Sequence, residues 1–281
     1  MTFDKEQASI LAAQIRKNIL RAIASKGTGH VGGSLSITDA LAVLYSGVMN
    51  IDPSDPDKPD RDILVLSKGH TGPALYGVLA EKGYFDKSLL DTLNKNDTHL
   101  PSHADRLKTP GVDVSTGSLG QGASLAAGSA FADRLDGKQN WTYLILGDGE
   151  LDEGQVWESV LFAASRKLTH LITVIDANGK QLDGETDKVC CLGSIENKFE
   201  AFGYHVISVP DGSDVESIYQ AFTEAHEDHG CPCAIVLHTK KGAGIRKYEE
   251  MDNCHSTSVK TDELPAFFEE IDTRLKEYLG G

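Results

Sequence analysis

Short apolar runs alternate with segments of helical periodicity along this chain. The runs predict buried strands at residues 61–66, 144–147, 171–176, 204–209 and 234–239. Apolar residues at helical spacing predict helices at residues 6–25, 36–48, 73–81, 123–135, 194–202, 213–229 and 263–279, and one from about 151. Repeated strand–helix order predicts a doubly wound, mostly parallel α/β sheet with helices on both faces. We expect residues 1–281 to form a single domain with a C-terminal helical extension.

Polar residues follow two of the predicted strands directly. One apolar run ends in Gly147-Asp148-Gly149, and the next ends in Asp176-Ala177-Asn178. Ligands of open α/β sheets bind at the carboxyl ends of the strands. We therefore expect Asp148 and Asn178 to face the same ligand.

A diphosphate held by Mg²⁺ suits this arrangement. A carboxylate, an amide oxygen and a loop carbonyl supply part of the oxygen shell that Mg²⁺ prefers. Gly149 would let the backbone approach the phosphates, and a helix beginning near Leu151 would direct free N–H groups at them. The alternative is a simple turn at residues 147–149 with Asn178 as a cap. The matching position of Asn178 on the next strand favours the ligand site.

Two further patterns are weaker when taken singly. A glycine cluster at residues 117–122 precedes the predicted helix 123–135, and it is equally consistent with phosphate contact and with a tight turn followed by close helix packing.

Four histidines lie in predicted loops: His30, His70, His103 and His255. A single loop histidine is more often a surface or capping residue. Four at one rim favour proton transfer on hydroxyl groups and hydrogen bonds to phosphate.

Composition and charge limit the classes of binding partner and the cellular compartment that we expect for this protein. The 281 residues include 27 Lys and Arg against 42 Asp and Glu, a net charge of −15, which argues against nucleic acid or an anionic membrane as a partner. The first residues predict an amphipathic helix rather than a signal peptide, and no apolar run reaches transmembrane length, so we expect a cytoplasmic protein. The five cysteines are expected to be reduced structural thiols.

The motifs together resemble the transketolase family, and specifically the N-terminal, thiamine diphosphate-binding subunit of a split transketolase. The resemblance runs from residues 29–34 (GHVGGS) through 66–70 (LSKGH), 109–112 (TPGV), 115–122 (STGSLGQG) and 147–149 (GDG) with Asn178, to His255. The GDG and Asn178 pair is typical of all thiamine diphosphate enzymes. His30 and the 116–122 motif (TGSLGQG) narrow the resemblance to transketolases.

The resemblance implies a role for each matching residue. Asp148, the Asn178 side chain and the Lys180 carbonyl match the ligands of Mg²⁺, and His70, His255, Gly149 and Asn178 match contacts of the diphosphate. Gly117 and Leu119 match contacts of the cofactor's body, and His30, His103 and His255 match histidines that face the sugar. Glu153 matches a carboxylate at the subunit boundary. The implied reaction transfers a two-carbon ketol unit from a ketose phosphate to an aldose phosphate.

The chain departs from the family in two respects. It ends at Gly281, before the pyrimidine-binding and C-terminal domains. We therefore expect a C-terminal partner subunit, an α₂β₂ assembly and no activity of this chain alone. The family's usual Asp-Asn or Asn-Asn pair is replaced by Asp176-Ala177-Asn178, and Lys180 stands where an apolar residue is usual.

Three alternatives stay open at this point. The first is a ketol transferase for a sulfonated or branched sugar, the second a dehydrogenase-type thiamine diphosphate subunit, and the third a non-catalytic cofactor-binding module. His30 with His103 argues against the dehydrogenase. Retention of Asp148, Asn178 and the histidines argues against the module.

Overall fold

Five parallel strands form the central sheet in this computed structural model, which describes residues 3–280. The strands of the described chain are β1 (Thr28–Gly29), β2 (Ile63–Leu66), β3 (Thr142–Gly147), β4 (Leu171–Ala177), β5 (His205–Val209), β6 (Cys233–His238) and β7 (Thr257–Ser258). The order in the sheet is β2-β3-β4-β6-β5, and every neighbouring pair is parallel. The predicted doubly wound α/β architecture is confirmed.

Helices cover the sheet on both faces. They are α1 (Lys5–Lys26), α2 (Gly32–Ser36), α3 (Thr38–Val43), α4 (Gly72–Lys82), α5 (Gln121–Leu135), α6 (Gly154–Ser165), α7 (Thr186–Val189), α8 (Ile195–Phe202), α9 (Val215–Ala225), α10 (Arg246–Glu249) and α11 (Leu264–Gly280). A π-helical turn at Leu44–Val48 follows α3, and 3₁₀ turns lie at Gly69–Thr71, Lys87–Thr92, Gly149–Asp152 and Thr261–Glu263.

Alternating strand residues divide the core into two layers. On β3, Tyr143 and Ile145 pack into the layer beneath α1, α4 and α9, whereas Leu144 and Leu146 pack into the layer beneath α5, α6 and α8. Successive side chains of a strand point to opposite faces, so a strand apolar at every position is buried on both sides. This explains why the strands appear in the sequence as continuous apolar runs.

Three local predictions were wrong. The helix predicted at residues 36–48 begins earlier, at Gly32, and is interrupted between α2 and α3. The helix expected near Leu151 begins at Gly154, because Gly149–Asp152 forms a 3₁₀ turn capped by the Asp148 carboxylate. The helix therefore does not start at Gly149, the glycine predicted to approach phosphate. The loop predicted after residue 242 contains the short helix α10.

The cysteines also differ from expectation. Cys233 and Cys254 are buried, whereas Cys190 and Cys191 are exposed and pack in no core layer. All five are free thiols. The prediction that the whole set is structural was therefore wrong for the adjacent pair.

A second, two-stranded sheet lies outside the main one and brings distant loops together. β1 pairs antiparallel with β7, with Gly29 opposite Thr257. The Gly32 amide donates to the Cys254 carbonyl at 2.9 Å beside this sheet. Among residues 3–280, no helix combines the length and apolar composition that a bilayer span requires.

Candidate functional site

Asp148 and Asn178 follow neighbouring strands at the carboxyl edge of the main sheet. Gly147 at the end of β3 is in register with Asp176 near the end of β4. The Asp148 carboxylate accepts hydrogen bonds from the Gly149 amide at 2.8 Å and from the Gly179 amide at 2.5 Å. The loop after β4 is thereby held against the loop after β3, as the spacing of the motifs predicted.

The Asp148 carboxylate is buried, with 5% of the residue exposed. Burial, and secondarily the charge of Asp176, raises the pKa of Asp148 to about 6. A buried anion with two backbone donors keeps free lone pairs, so a bound cation would stabilise its ionised form. The Asp148 environment fits a divalent metal on this ground.

The other candidate metal ligands are a neutral amide and a neutral carbonyl. Asn178 Oδ1 accepts a hydrogen bond from the Lys180 amide at 3.2 Å, which uses one of its two lone pairs. Lys180 O accepts from Lys241 Nζ at 2.7 Å. Across residues 3–280, no group of three or more His, Cys, Asp or Glu side chains is arranged to hold a metal. The oxygen set that follows β3 and β4 is the candidate metal site because a carboxylate, an amide oxygen and a carbonyl are ligands that suit Mg²⁺.

Two lysines bring positive charge to this edge of an acidic chain. Lys241 follows β6, is 6% exposed, and lies 3.3 Å from His255 Nδ1. Lys180 Nζ donates to the carbonyls of Met251 and Asp252, at 3.3 Å each. The buried Lys241 ammonium can bind an anionic group, whereas the Lys180 ammonium holds the loop that leads to His255.

The four histidines predicted at the rim form one cluster. Ring centroids are separated by 5.1 Å for His30 and His70, 4.9 Å for His70 and His255, 5.3 Å for His30 and His255, and 6.3 Å for His30 and His103. His103 is exposed, and the other three are partly buried. The structure thus brings together side chains from three loops and from the 3₁₀ turn at Gly69–Thr71.

Burial and neighbouring positive charge keep the imidazoles of His30, His70 and His255 neutral by lowering their pKa values. Burial, followed by Lys68 and His255, lowers the pKa of His70 to about 2. Burial and Lys241 lower the pKa of His255 to about 4, and burial lowers the pKa of His30. Neutral imidazoles both donate and accept hydrogen bonds, which suits contact with sugar hydroxyls.

The glycine cluster at residues 117–122 is tied to the loop after β3 by Glu150. Its carboxylate, with 3% of the residue exposed, accepts from Ser67 Oγ at 2.5 Å, from the Gly120 amide at 2.8 Å and from the Gly147 amide at 3.2 Å. Gly117 lies against His103, since a Cβ on Gly117 would be 3.2 Å from the ring. Gly117 therefore lies beside the histidine cluster, and Leu119 is a partly buried residue of the same loop.

Gly149 is the first residue of the 3₁₀ turn, and Glu153 directly follows the turn. A Cβ on Gly149 would be 2.6 Å from the Gln181 Cβ, so the close approach here is to a neighbouring loop. Glu153 is exposed at the start of α6, beside Gly120. Its role at a subunit boundary stays a prediction.

Four buried charged residues near the site were not assigned a role from the sequence. They are Lys68, Glu150, Asp176 and Lys241. Each stands at or just beyond the carboxyl end of a strand, so the rule that located Asp148 could have found them. A separate cavity of about 380 Å³ beside α1, α11 and the end of β6 contains none of the predicted site residues.

Comparison with known proteins places the chain in a family. Residues 7–273 match the family described as "Transketolase, thiamine diphosphate binding domain". The chain is 53% identical over 230 residues to the 6-deoxy-6-sulfo-D-fructose transketolase subunit of Clostridium sp. (strain MSTE9), covering 82% of this chain and 83% of the relative. It is 38% identical to an apulose-4-phosphate transketolase subunit of Actinobacillus succinogenes, covering 96% and 97%.

Solved structures agree with this match. A mutant transketolase of Pichia stipitis superposes with a TM-score of 0.88 at 28% identity, over 95% of this chain and 40% of that chain. The transketolase of Campylobacter jejuni superposes with a TM-score of 0.86 at 28% identity, over 99% and 43%. The chain therefore spans about two fifths of the length of these solved transketolases.

Proposed function

Because this chain belongs to the transketolase family, as its thiamine diphosphate-binding part, we propose that it is the cofactor-binding subunit of a two-chain enzyme that transfers two-carbon ketol units between sugar phosphates. The observation that carries the proposal is the proximity of an oxygen set, which includes the buried Asp148 carboxylate, to a cluster of four histidines. Lys241 links the two groups, since its Nζ donates to the Lys180 carbonyl and lies 3.3 Å from His255 Nδ1. The oxygen set suits a metal-held diphosphate, and the histidines suit a polyhydroxylated substrate.

In this proposal Mg²⁺ is held by Asp148, the Asn178 side chain and the Lys180 carbonyl. His70, His255 and the buried Lys241 ammonium face the diphosphate, whose negative charge would offset the burial of that ammonium. Gly117 and Leu119 border the rest of the cofactor. Bound thiamine diphosphate would supply the electron sink that C–C cleavage needs.

The histidines would bind and orient the sugar. The Lys241 ammonium carries no acceptor, so it donates to His255 Nδ1, and the proton of the neutral ring therefore resides on Nε2. His255 Nε2 would then donate to a phosphate or hydroxyl oxygen. His30 and His103 would hold hydroxyls and move protons between the sugar and water.

The two-chain form is supported by the relatives. The Clostridium and Actinobacillus relatives are named as subunits, and the chain covers 83% and 97% of their lengths. We propose that a C-terminal subunit supplies the pyrimidine-binding and C-terminal domains in an α₂β₂ assembly. Glu153, exposed at the start of α6, is a candidate contact at a subunit boundary. The cytoplasmic location stays a prediction.

Reconstitution tests this proposal. The native complex is purified, its two chains are separated, and each is assayed with xylulose 5-phosphate and ribose 5-phosphate. We expect sedoheptulose 7-phosphate only when both chains, thiamine diphosphate and Mg²⁺ are combined. Full activity of this chain alone would contradict the two-chain form, and no ketol transfer by the complex with any donor would contradict the function.

A second candidate concerns the donor alone. The 53% identical relative is named for 6-deoxy-6-sulfo-D-fructose, which carries a sulfonate in place of the phosphate. The reconstituted complex should be offered this sugar and fructose 6-phosphate in competition, with glyceraldehyde 3-phosphate as acceptor. Mass spectrometry separates the two four-carbon aldoses, one sulfonated and one phosphorylated. A kcat/KM ratio above one for the sulfonated donor would favour the second candidate.

A further inference from the structure

We propose that Asp176 is a positioning residue that holds the Asn178 amide in the orientation that presents Oδ1 to the metal. The inference rests on the metal site proposed above and adds a residue outside the oxygen set. It follows from the hydrogen bonds that the two carboxylate oxygens of Asp176 accept.

Asp176 is fully buried, at 0% exposure, near the end of β4. Its Oδ2 accepts from Ser36 Oγ at 2.6 Å, from Asn178 Nδ2 at 3.2 Å and from the Lys68 ammonium. Its Oδ1 accepts from the Thr239 hydroxyl. Three donors converge on Oδ2 and one binds Oδ1, so both oxygens are engaged. Asp176 therefore accepts from four protein groups, whereas Asp148 accepts from two amides.

The hydrogen bond from Asn178 to the buried Asp176 carboxylate fixes the orientation of the Asn178 side-chain amide. An ionised carboxylate only accepts hydrogen bonds, so the Asn178 group that faces Asp176 must be the NH₂ group. Asn178 Oδ1 then lies on the opposite side of the amide, where it accepts from the Lys180 backbone amide and keeps a second lone pair. A flipped Asn178 would bring Oδ1 against the carboxylate and present NH₂, which cannot ligate a cation.

Lys68 keeps Asp176 ionised inside the protein. Lys68 is 1% exposed, bonds the Asp176 carboxylate and donates to the Gly33 carbonyl at 2.9 Å. Buried ion pairs contribute little net stability because desolvation offsets their attraction. Orienting a metal ligand is a role that such a pair serves without stabilising the fold, and groups behind metal ligands commonly control affinity.

The test compares two variants that remove both charges and differ only in whether position 176 keeps an acceptor. In Lys68→Met/Asp176→Asn, the new amide oxygen can still accept from Asn178 Nδ2. In Lys68→Met/Asp176→Leu, no acceptor is left. The Mg²⁺ midpoint for thiamine diphosphate binding is measured on the complex with its partner, with circular dichroism as the check on folding. We expect the leucine variant to need about 10–100-fold more Mg²⁺ than the asparagine variant.

A third substitution separates orientation from general damage. Adding Asn178→Asp to the leucine variant provides a ligand with two equivalent oxygens, which has no wrong orientation. We expect this triple variant to recover most of the Mg²⁺ affinity. Equal Mg²⁺ midpoints in the leucine and asparagine variants, or no recovery in the triple variant, would overturn the inference. A wild-type complex without Mg²⁺-dependent binding would overturn the proposed metal site instead.

A measurement on the wild type covers the case in which the leucine variant does not fold. Selective ¹⁵N-asparagine labelling of the complex, assigned with Asn178→Asp, follows the Asn178 side-chain amide by NMR. We expect at least one Nδ2 proton to exchange slowly with solvent, because it is bonded to a buried carboxylate. Rapid exchange of both protons would contradict the proposed orientation.

Discussion

His30 and His255 lie 5.3 Å apart, centroid to centroid, because the strand before one pairs with the strand after the other. β1 ends at Gly29 and β7 begins at Thr257, and the antiparallel register joins the two ends of the chain beside the main sheet. This small sheet places His30, which follows α1 and β1, beside the site at the carboxyl ends of β3 and β4. Side chains from distant parts of the chain thereby meet in one cluster.

Asp148→Ala should remove Mg²⁺-dependent thiamine diphosphate binding. The substitution deletes the only carboxylate among the three proposed metal ligands. Since loss of an outer contact already costs metal affinity 10–100-fold, we expect the Kd for the cofactor with Mg²⁺ to rise by more than about tenfold. Calorimetry on the complex measures it. Asp183→Ala, an exposed carboxylate of the next loop, is the control. Unchanged binding by Asp148→Ala would remove the metal assignment.

His103→Ala should lower turnover while leaving the cofactor bound. His103 is the exposed member of the histidine cluster, 6.3 Å from His30 and packed on Gly117. Loss of a proton-transfer group lowers kcat/KM by about 10²–10⁴-fold. The cofactor Kd should stay within about twofold. His99→Ala, whose ring bonds the Lys108 carbonyl instead, is the control. A large loss of cofactor affinity would place His103 in the diphosphate site.

His70 should make folding stability depend on pH. Its neighbours are Lys68, His30, Lys241 and His255, and its folded pKa is about 2 against about 6.5 in the unfolded chain. Between these values the unfolded state binds a proton that the folded state does not. Stability from neutral His70 is therefore full above pH 6.5 and is lost as pH falls below it.

The measurement is urea unfolding of the complex at pH 5 and pH 7, for wild type and His70→Asn. The variant removes the titrating ring, so its stability should fall less between the two pH values, by up to about 1.4 kcal/mol per pH unit. Carboxylate effects cancel in the comparison. Identical pH dependence in both proteins would show that His70 protonates as readily in the fold as in the unfolded chain.

Lys180→Met should loosen the loop that carries His255. The substitution leaves an unbranched side chain one atom shorter and removes the donors to the Met251 and Asp252 carbonyls. We expect faster hydrogen–deuterium exchange in residues 251–255 and a higher KM for the sugar substrate, with the fold intact. Lys188→Met, an exposed lysine paired with Glu185, is the control. Unchanged exchange would show that the two bonds do not restrain the loop.

The sheet could be predicted because its signals are local. Residues 142–147 and 171–177 are apolar at nearly every position, and parallel strands buried on both faces require that. The errors arose where tertiary contacts decide the backbone. The Asp148 carboxylate caps a 3₁₀ turn, and α6 therefore begins three residues later than predicted. The strands β1 and β7 have two residues each, too few to show the alternation of apolar and polar residues that identifies a strand.

Sequence by itself determined the fold class, the family and the chemical groups beyond the strand ends, because these depend on residue types at local spacings. Tertiary structure alone decided which groups touch. Lysine is usually solvated, so nothing local predicts that Lys68 is buried against Asp176 or that Lys241 lies beside His255. The neutral state of His30, His70 and His255 and the orientation of the Asn178 amide depend on such distant neighbours, since pKa values and amide orientation are set by the surrounding charges and donors.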